Sequence, residues 1–130
     1  MQTYDLSKRI KIFYIDNVRQ NGFVKKIKTY IHPEGTLLSA RFKNLKADQV
    51  IQNKQAQVDV DSEFIVMRRN ITEEMFIEYN RRTFGVCTYQ IKGIDPWDDN
   101  SNYLKLSTHK VNSVIEYDDV KYKEFDQWSK

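Results

Sequence analysis

Apolar and polar residues alternate with a period of two along most of the chain, which is the pattern of half-buried β-strands. The clearest run is 58–68, where β-branched and aromatic residues share the strand with regularly spaced outer charges. In 36–42 the same spacing places Leu38, Ala40 and Phe42 on one face. The predicted strands are residues 9–15, 23–31, 36–42, 58–68, 75–79, 84–91 and 103–107.

Short polar segments separate these runs and favour hairpins. Asn21-Gly22 is a strong turn signal, because both residues tolerate positive φ. The sequence His32-Pro33-Glu34-Gly35 ends the second strand, since Pro33 restricts the residue before it and Gly35 frees the backbone. Further turns are predicted at residues 80–82 and at 95–100.

Two segments lose the alternation. Residues 44–57 read NLKADQVIQNKQAQ, and a connection of that length inside a compact domain is usually functional or disordered. Residues 111–130 are charged and carry aromatic residues at intervals, which indicates an extension with anchors. The sequence therefore predicts a mainly β fold, a small antiparallel barrel or sandwich of about six to seven strands. Its domain occupies residues 1–110, and residues 111–130 form a C-terminal extension that is not a separate domain.

The chain of 130 residues has the size of one domain. Cys87 is its single cysteine, so no internal disulfide can form and a reducing compartment is expected. Residues 1–9 lack the apolar run of a signal peptide, and the longest apolar stretches are far too short to span a membrane. We expect synthesis in a cytoplasm and no membrane contact.

Charge is distributed unevenly along the chain. Residues 1–60 carry 11 Lys and Arg against 5 Asp and Glu, whereas residues 61–130 carry 10 against 13. A basic half and an acidic half suit head-to-tail or stacked assembly, in which opposite faces meet. Ordinary surface charge is an equal alternative.

The residues that usually carry chemistry are scattered. His32, Cys87 and His109 are far apart and form no metal-binding motif. The acidic turn at residues 95–99 lacks the alternating order and the closing glutamate of a calcium loop. Cys87 lies inside a strand, which indicates buried packing, and neither a phosphate-binding loop nor a nucleophile elbow is present. We expect no catalytic site, no metal site and no cofactor.

Nucleic-acid binding is the alternative from a different class of function. Small β-barrels bind single strands through basic grooves, and a solvated strand face accounts for such basic residues equally well. The candidate basic patch consists of Lys25, Lys26, Lys28, Arg68, Arg69, Arg81 and Arg82.

The order of motifs resembles the head-closure, or head-tail joining, family of tailed bacteriophages. LSKRIKI at residues 6–12 resembles the family's opening strand, and residues 21–23 resemble its first hairpin turn. The likeness continues through LSARFKNL at 38–45, FIVMRR at 64–69 and MFIEYN at 75–80. It ends with the strands at 84–91 and 103–106 and covers about residues 6–108. Two departures are Asn80-Arg81, where the family usually has a turn glycine, and the extension after residue 110.

This resemblance implies a non-catalytic virion protein at the head-tail interface. Such proteins form a homo-oligomeric ring, commonly a dodecamer, beneath the portal and its adaptor protein. The ring closes the DNA-filled head, contacts packaged double-stranded DNA without reading its sequence, and offers a docking face to a tail terminator or tail-completion protein. A tail-completion protein of the same neck region is the alternative within this class.

The resemblance also suggests roles for particular residues. The long loop is expected to face the DNA channel, and the aromatic residues of the extension, together with Trp97, are expected to anchor a neighbouring subunit or ring. Packing of the extension against its own barrel is the alternative for those aromatics. The expected channel residues are Lys46, Gln49, Gln52, Asn53, Lys54 and Gln55, and the expected anchors are Trp97, Tyr117, Tyr122, Phe125 and Trp128.

Overall fold

Eight β-strands make up the secondary structure of the residues that the computed structural model describes, which are 6–45, 60–82, 84–97, 100–112 and 116–123. The mainly β prediction is confirmed, with one strand more than the upper end of the predicted range. The strands are β1 (Lys8–Gln20), β2 (Phe23–Tyr30), β3 (Leu38–Asn44), β4 (Ser62–Met67), β5 (Phe76–Arg81), β6 (Gly85–Trp97), β7 (Asn100–Val111) and β8 (Asp119–Tyr122).

One sheet contains all eight strands, in the order β3-β4-β7-β6-β5-β1-β2-β8. A further pairing between β3 and β1 closes six of these strands into a ring. Strand β1 makes this closure possible because Ile10 pairs with Tyr79 of β5 on one edge and with Leu38 of β3 on the other. Past Phe13 the second edge of β1 pairs with β2 instead, so β2 and β8 lie outside the ring.

Alternating residues of the ring strands face inward and form the core. Ile12, Phe64 and Leu106 are fully buried there, and burial of a side chain of that size stabilises the fold by about 1.5–3 kcal/mol. Phe42 packs against this core, as the alternation predicted, with its ring centroid 4.9 Å from that of Phe64. Cys87 is buried as expected.

The predicted boundaries of β6 and β7 were wrong. Residues 95–97 are not part of a turn but continue β6, and Asp95 pairs with Lys105 of β7. The pairing of β6 with β5 ends at Gln90, so the edge of β6 that faced β5 is open at Pro96. Pro96 is tolerated there because an open edge does not require the backbone N–H that proline lacks. The length of β6 is therefore determined by its pairing with β7 and not by the alternation of its own residues.

Strand β8 was also missed by the sequence prediction. It pairs in parallel with β2, from Ile27 opposite Asp119 to Tyr30 opposite Tyr122. Four charged or half-exposed residues give no alternation signal of their own, and the strand exists only because β2 offers a free edge. The first part of the predicted extension is therefore attached to the sheet.

Two hairpin turns depend on positive φ. Asn21 and Gly22 have φ values of 54° and 82°, which confirms the predicted two-residue turn between β1 and β2. The turn between β5 and β6 lies later than predicted: the Phe84 amide donates to the Arg81 carbonyl at 3.0 Å, and Gly85 follows with φ 74°. Gly85 thus supplies the positive φ at this turn.

We expect Gly85→Ala to lower the free energy of unfolding by about 1 kcal/mol, because a Cβ in the left-handed region is strained even with open space around it. Gly93→Ala is the matched control, since its Cβ would lie at an ordinary 3.7 Å from Ser107 Cβ. Urea unfolding of both variants checks this, and equal losses would contradict the role assigned to Gly85.

Candidate functional site

An ion pair lies between aromatic rings on the outer face of β1, β2 and β5. The Lys28 ammonium donates to Glu78 Oε1 at 2.5 Å, and the Tyr30 hydroxyl donates to the same oxygen at 2.9 Å. The ammonium also lies 4.4 Å from the centre of the Phe13 ring and 5.1 Å from that of Tyr117. The β1–β5 register explains this grouping, because it places Lys11 opposite Glu78 and Phe13 opposite Phe76.

Opposing effects set the protonation of this cluster. Burial alone would raise the pKa of Glu78, but the hydrogen bond and charge of Lys28, with help from Tyr30 and Lys11, hold that pKa below its ordinary value. Burial and the neighbouring Glu78 carboxylate raise the pKa of Tyr30. At neutral pH Glu78 is therefore a carboxylate and Tyr30 a neutral phenol.

The C-terminal segment covers this cluster. Tyr117 contacts Phe13 edge-to-face at 6.0 Å, and Tyr122 stacks on Tyr30 at 4.8 Å. The backbone adds to these contacts, since the Asp118 carboxylate accepts from the Lys26 amide at 2.8 Å. Residues 116–123 thus belong to the same packed unit as β1 and β2.

Two of the five expected anchors pack against the described sheet. Tyr117 and Tyr122 pack on their own sheet, which is one of the two alternatives that the sequence left open for them. Trp97 ends β6, and Phe125 and Trp128 lie outside the described residues. The expected channel residues Lys46, Gln49, Gln52, Asn53, Lys54 and Gln55 also lie outside the described residues.

A basic cleft of about 870 Å³ opens next to the cluster, on β1, β5 and the start of β6. Glu78 is the one acidic residue among the described residues that line it, and Lys28 already neutralises that carboxylate. Lys8 and Arg82 are exposed and form no ion pair within the described part of the chain. Five cationic residues line the basic cleft: Lys8, Arg9, Lys11, Arg81 and Arg82.

The same cleft exposes apolar side chains. Phe84 and Val86 are 64% and 62% exposed, and Leu37 is 49% exposed. The Arg81 guanidinium lies 4.6 Å from the centre of the Phe84 ring, so cationic and apolar groups are interleaved. A surface of this kind suits a ligand with both negative charge and apolar groups.

The basic patch expected from the sequence is divided in the folded chain. Lys28 is used by Glu78, and neither Arg68 nor Arg69 lines the basic cleft. Arg81 and Arg82 join Lys8, Arg9 and Lys11 instead, a group that sequence reasoning missed. Only knowledge of the β1–β5 pairing could have found it, because the two sets lie some seventy residues apart.

Within the described ranges, no three His, Cys, Asp or Glu residues are placed to hold a metal ion. No helix in those ranges has the length and apolar character needed to cross a membrane.

These features define a small all-β domain whose surfaces suit contacts with other macromolecules. The chain belongs to the phage head completion protein family, which it matches over residues 1–111. Membership confirms the resemblance found in the sequence and makes the protein a structural component of the phage virion that functions in head closure, together with other head and tail proteins. Structural head proteins of this kind are usually not enzymes.

A known fold supports the same architecture. The chain is similar to protein SF1141 from Shigella flexneri 2a, known from a solution structure, with a TM-score of 0.64 and 15% sequence identity. The likeness covers 84% of this chain and 96% of that one, and at this identity it shows the fold alone. No curated protein matches the sequence.

We expect Glu78→Gln to lower the free energy of unfolding by about 2 kcal/mol, because it leaves the largely buried Lys28 ammonium without a carboxylate. Glu63→Gln is the matched control: its partner Lys105 lies at 3.9 Å and is more exposed, so about 0.5 kcal/mol or less is expected. Chemical unfolding measures both, and a Glu78 variant as stable as the control would contradict the role of the ion pair.

His32 gives a second, pH-dependent expectation. It is fully buried, its Nδ1–H donates to the Pro33 carbonyl at 3.2 Å, and its Nε2 has no partner among the described residues. Burial lowers the pKa of His32, and the Lys11 charge adds to this effect against the opposing Pro33 hydrogen bond. The unfolded chain therefore binds the proton first, and stability falls as the pH drops below about 6.5.

We expect the free energy of unfolding to decrease from pH 7 to pH 5, by at most about 1.4 kcal/mol per pH unit for this one proton. His32→Gln should flatten that dependence. Unfolding curves at several pH values decide the matter, and an unchanged slope in the His32 variant would rule out this residue as the cause.

Proposed function

We propose that this protein forms a ring beneath the portal and its adaptor, closes the filled head and receives the tail. The observation that carries the proposal is the family match, which ends at Val111, the last residue of β7. The match therefore spans the whole six-stranded ring of strands and stops where the extension begins. This coincidence supports a head-closure domain at 1–110 and an accessory extension at 111–130.

The proposed channel loop starts and ends at one place on the barrel. Asn44 of β3 pairs with Ser62 of β4, and the Leu45 amide donates to the Asp61 carbonyl at 3.0 Å. The two ends of the 46–59 segment are therefore held next to each other by the sheet. In the proposal, this anchoring allows the segment to reach into the channel while the domain stays unchanged.

The composition of the segment supports a role at the DNA channel. Its amide side chains can hydrogen-bond to the corresponding loop of the next copy, so that a weak contact is repeated around a closed ring. Lys46 and Lys54 would hold phosphates without reading sequence. The amide residues of this proposal are Gln49, Gln52, Asn53 and Gln55.

The proposed contact with an adjacent ring uses the opposite end of β4. Met67 pairs with Tyr103 close to the β6–β7 turn, whereas Ser62 at the other end adjoins the loop. Trp97 is at that turn, where it pairs with Asn100. We therefore assign the channel and the docking face to different ends of the barrel, with Trp97 on the docking side.

We expect deletion of residues 46–56 to yield particles that package DNA and then lose it. The barrel tolerates the deletion because residues 57–59 still join two strand ends that are already paired. The measurement is the fraction of full particles after storage, counted by electron microscopy, together with released DNA.

An equal-length Gly-Ser replacement of residues 46–56 is the control that separates chemistry from length. Particles with this replacement should lose DNA like the deletion if the amide and lysine side chains hold the DNA. They should retain DNA if only the length of the loop matters. Tight, full particles from the deletion would end the gating proposal.

A further inference from the structure

We propose that the basic cleft binds the acidic, aromatic segment 124–128 of a neighbouring copy. The inference rests on the proposed ring and identifies the site that receives its C-terminal anchors. It gives Lys8, Arg9, Arg81 and Arg82 an acidic partner, which none of the ion pairs among the described residues supplies.

The charge of the cleft calls for an acidic ligand. Five cationic side chains face a single carboxylate, Glu78, which the Lys28 ammonium already occupies. Opposite charges brought together across an interface steer association and fix its register. Guanidinium groups such as those of Arg81 and Arg82 bind carboxylates with two parallel hydrogen bonds.

The apolar residues of the cleft distinguish a peptide from a nucleic acid backbone. Leu37, Phe84 and Val86 each expose about half or more of their side chains. A row of phosphates would leave these apolar side chains in water. A peptide that carries aromatic rings between carboxylates would cover them while pairing with the cations. Burial of aromatic rings at the centre of an interface typically supplies much of its binding energy.

The chain itself contains such a peptide. Residues 124–128 read EFDQW, in which Glu124 and Asp126 alternate with Phe125 and Trp128 follows. In an extended segment Glu124, Asp126 and Trp128 project to one side and Phe125 to the other, so both ring and charge can meet the cleft. This is the charge and ring content that the cleft requires.

Where the segment leaves the fold favours a neighbouring copy. Strand β8 is the last strand of the sheet order, and the chain leaves it at Lys123, whose amide donates to the Tyr30 carbonyl. Arg81 of β5 is three strands away from Tyr122 of β8 across the sheet and about five residues away along the strand direction. The distance between them is therefore roughly 22 Å. Phe125 follows Tyr122 by three residues, which span about 10 Å when extended, so Phe125 of the same copy cannot reach the Arg81 side of the cleft.

A cleft and a segment on the same chain make a heterologous contact. Each copy gives one segment and receives one, and such contacts close into a ring when the rotation between copies permits. The extension would then join neighbours around the ring, while the barrel ends serve the channel and the adjacent ring.

The test uses purified particles that carry the full chain with Ser7→Cys, at the cleft, and Ser129→Cys, next to the segment. Cys87 is buried and does not interfere. After mild oxidation we expect a ladder of cross-linked chains on a non-reducing gel. Lys43→Cys, on an exposed residue of β3 that does not line the cleft, replaces Ser7→Cys in the matched control and should give no ladder.

Charge reversal then tests the chemistry. In the double-cysteine chain, Lys8→Glu with Arg82→Glu should reduce the ladder at least tenfold, and adding Glu124→Lys with Asp126→Lys should restore it. Cross-links confined within single chains would show that the segment binds its own copy and would overturn the proposal, as would a ladder insensitive to charge reversal.

Other outcomes separate this inference from the proposed function. A ring present in the particle without any cross-link would reject the cleft as the receiving site while leaving head closure intact. Absence of the protein from the particle would reject the ring itself. If the purified protein bound double-stranded DNA in a salt-dependent way that the Lys8 and Arg82 reversals abolished, the cleft would be a nucleic-acid site instead.

Discussion

The double pairing of β1 is the constraint on which the rest of the structure depends. Ile10 is bonded to neighbours on both edges, β3 on one side and β5 on the other, and this closes the ring of strands. Without the β1–β3 contact the sheet would be open, and the inward faces of β3 and β4 would lose their cover. Closure also removes two sheet edges that would otherwise pair with other chains. Free edges remain on β8 and the start of β2, outside the ring, and on β6 beyond Gln90.

The same register creates the candidate functional surface. Because β1 and β5 are adjacent, the outward residues of one lie next to those of the other, and Lys11 meets Glu78 while Phe13 meets Phe76. The partly buried Lys28–Glu78 pair and its surrounding rings pack together on this face, and Glu78 also lines the basic cleft beside it. The stabilising ion pair and the candidate binding cleft thus lie side by side and share Glu78.

The sequence predicted what short-range patterns control and missed what distant partners control. Alternation located the ring strands, and Asn21-Gly22 located a turn, because side-chain period and positive φ are local properties. The extent of β6 through Pro96 and the existence of β8 depend on strands that become neighbours only after folding. The basic cleft was missed for the same reason, since its cations come from residues 8–11 and 81–82. The family resemblance was confirmed because ordered motifs preserve long-range information that single segments lack.

The folded chain also changes the meaning of the charge asymmetry. A basic first half and an acidic second half suggested two opposite faces, yet the basic cleft draws cations from both halves, and Glu78 of the second half neutralises Lys28 of the first. Pairing between strands, rather than position along the chain, therefore decides which charges remain available. What remains is a positive, partly apolar cleft on the ring of strands, and the residues after β8 carry negative and aromatic side chains. The proposed ring needs two complementary surfaces on each subunit, and the cleft and the segment are our candidates for them.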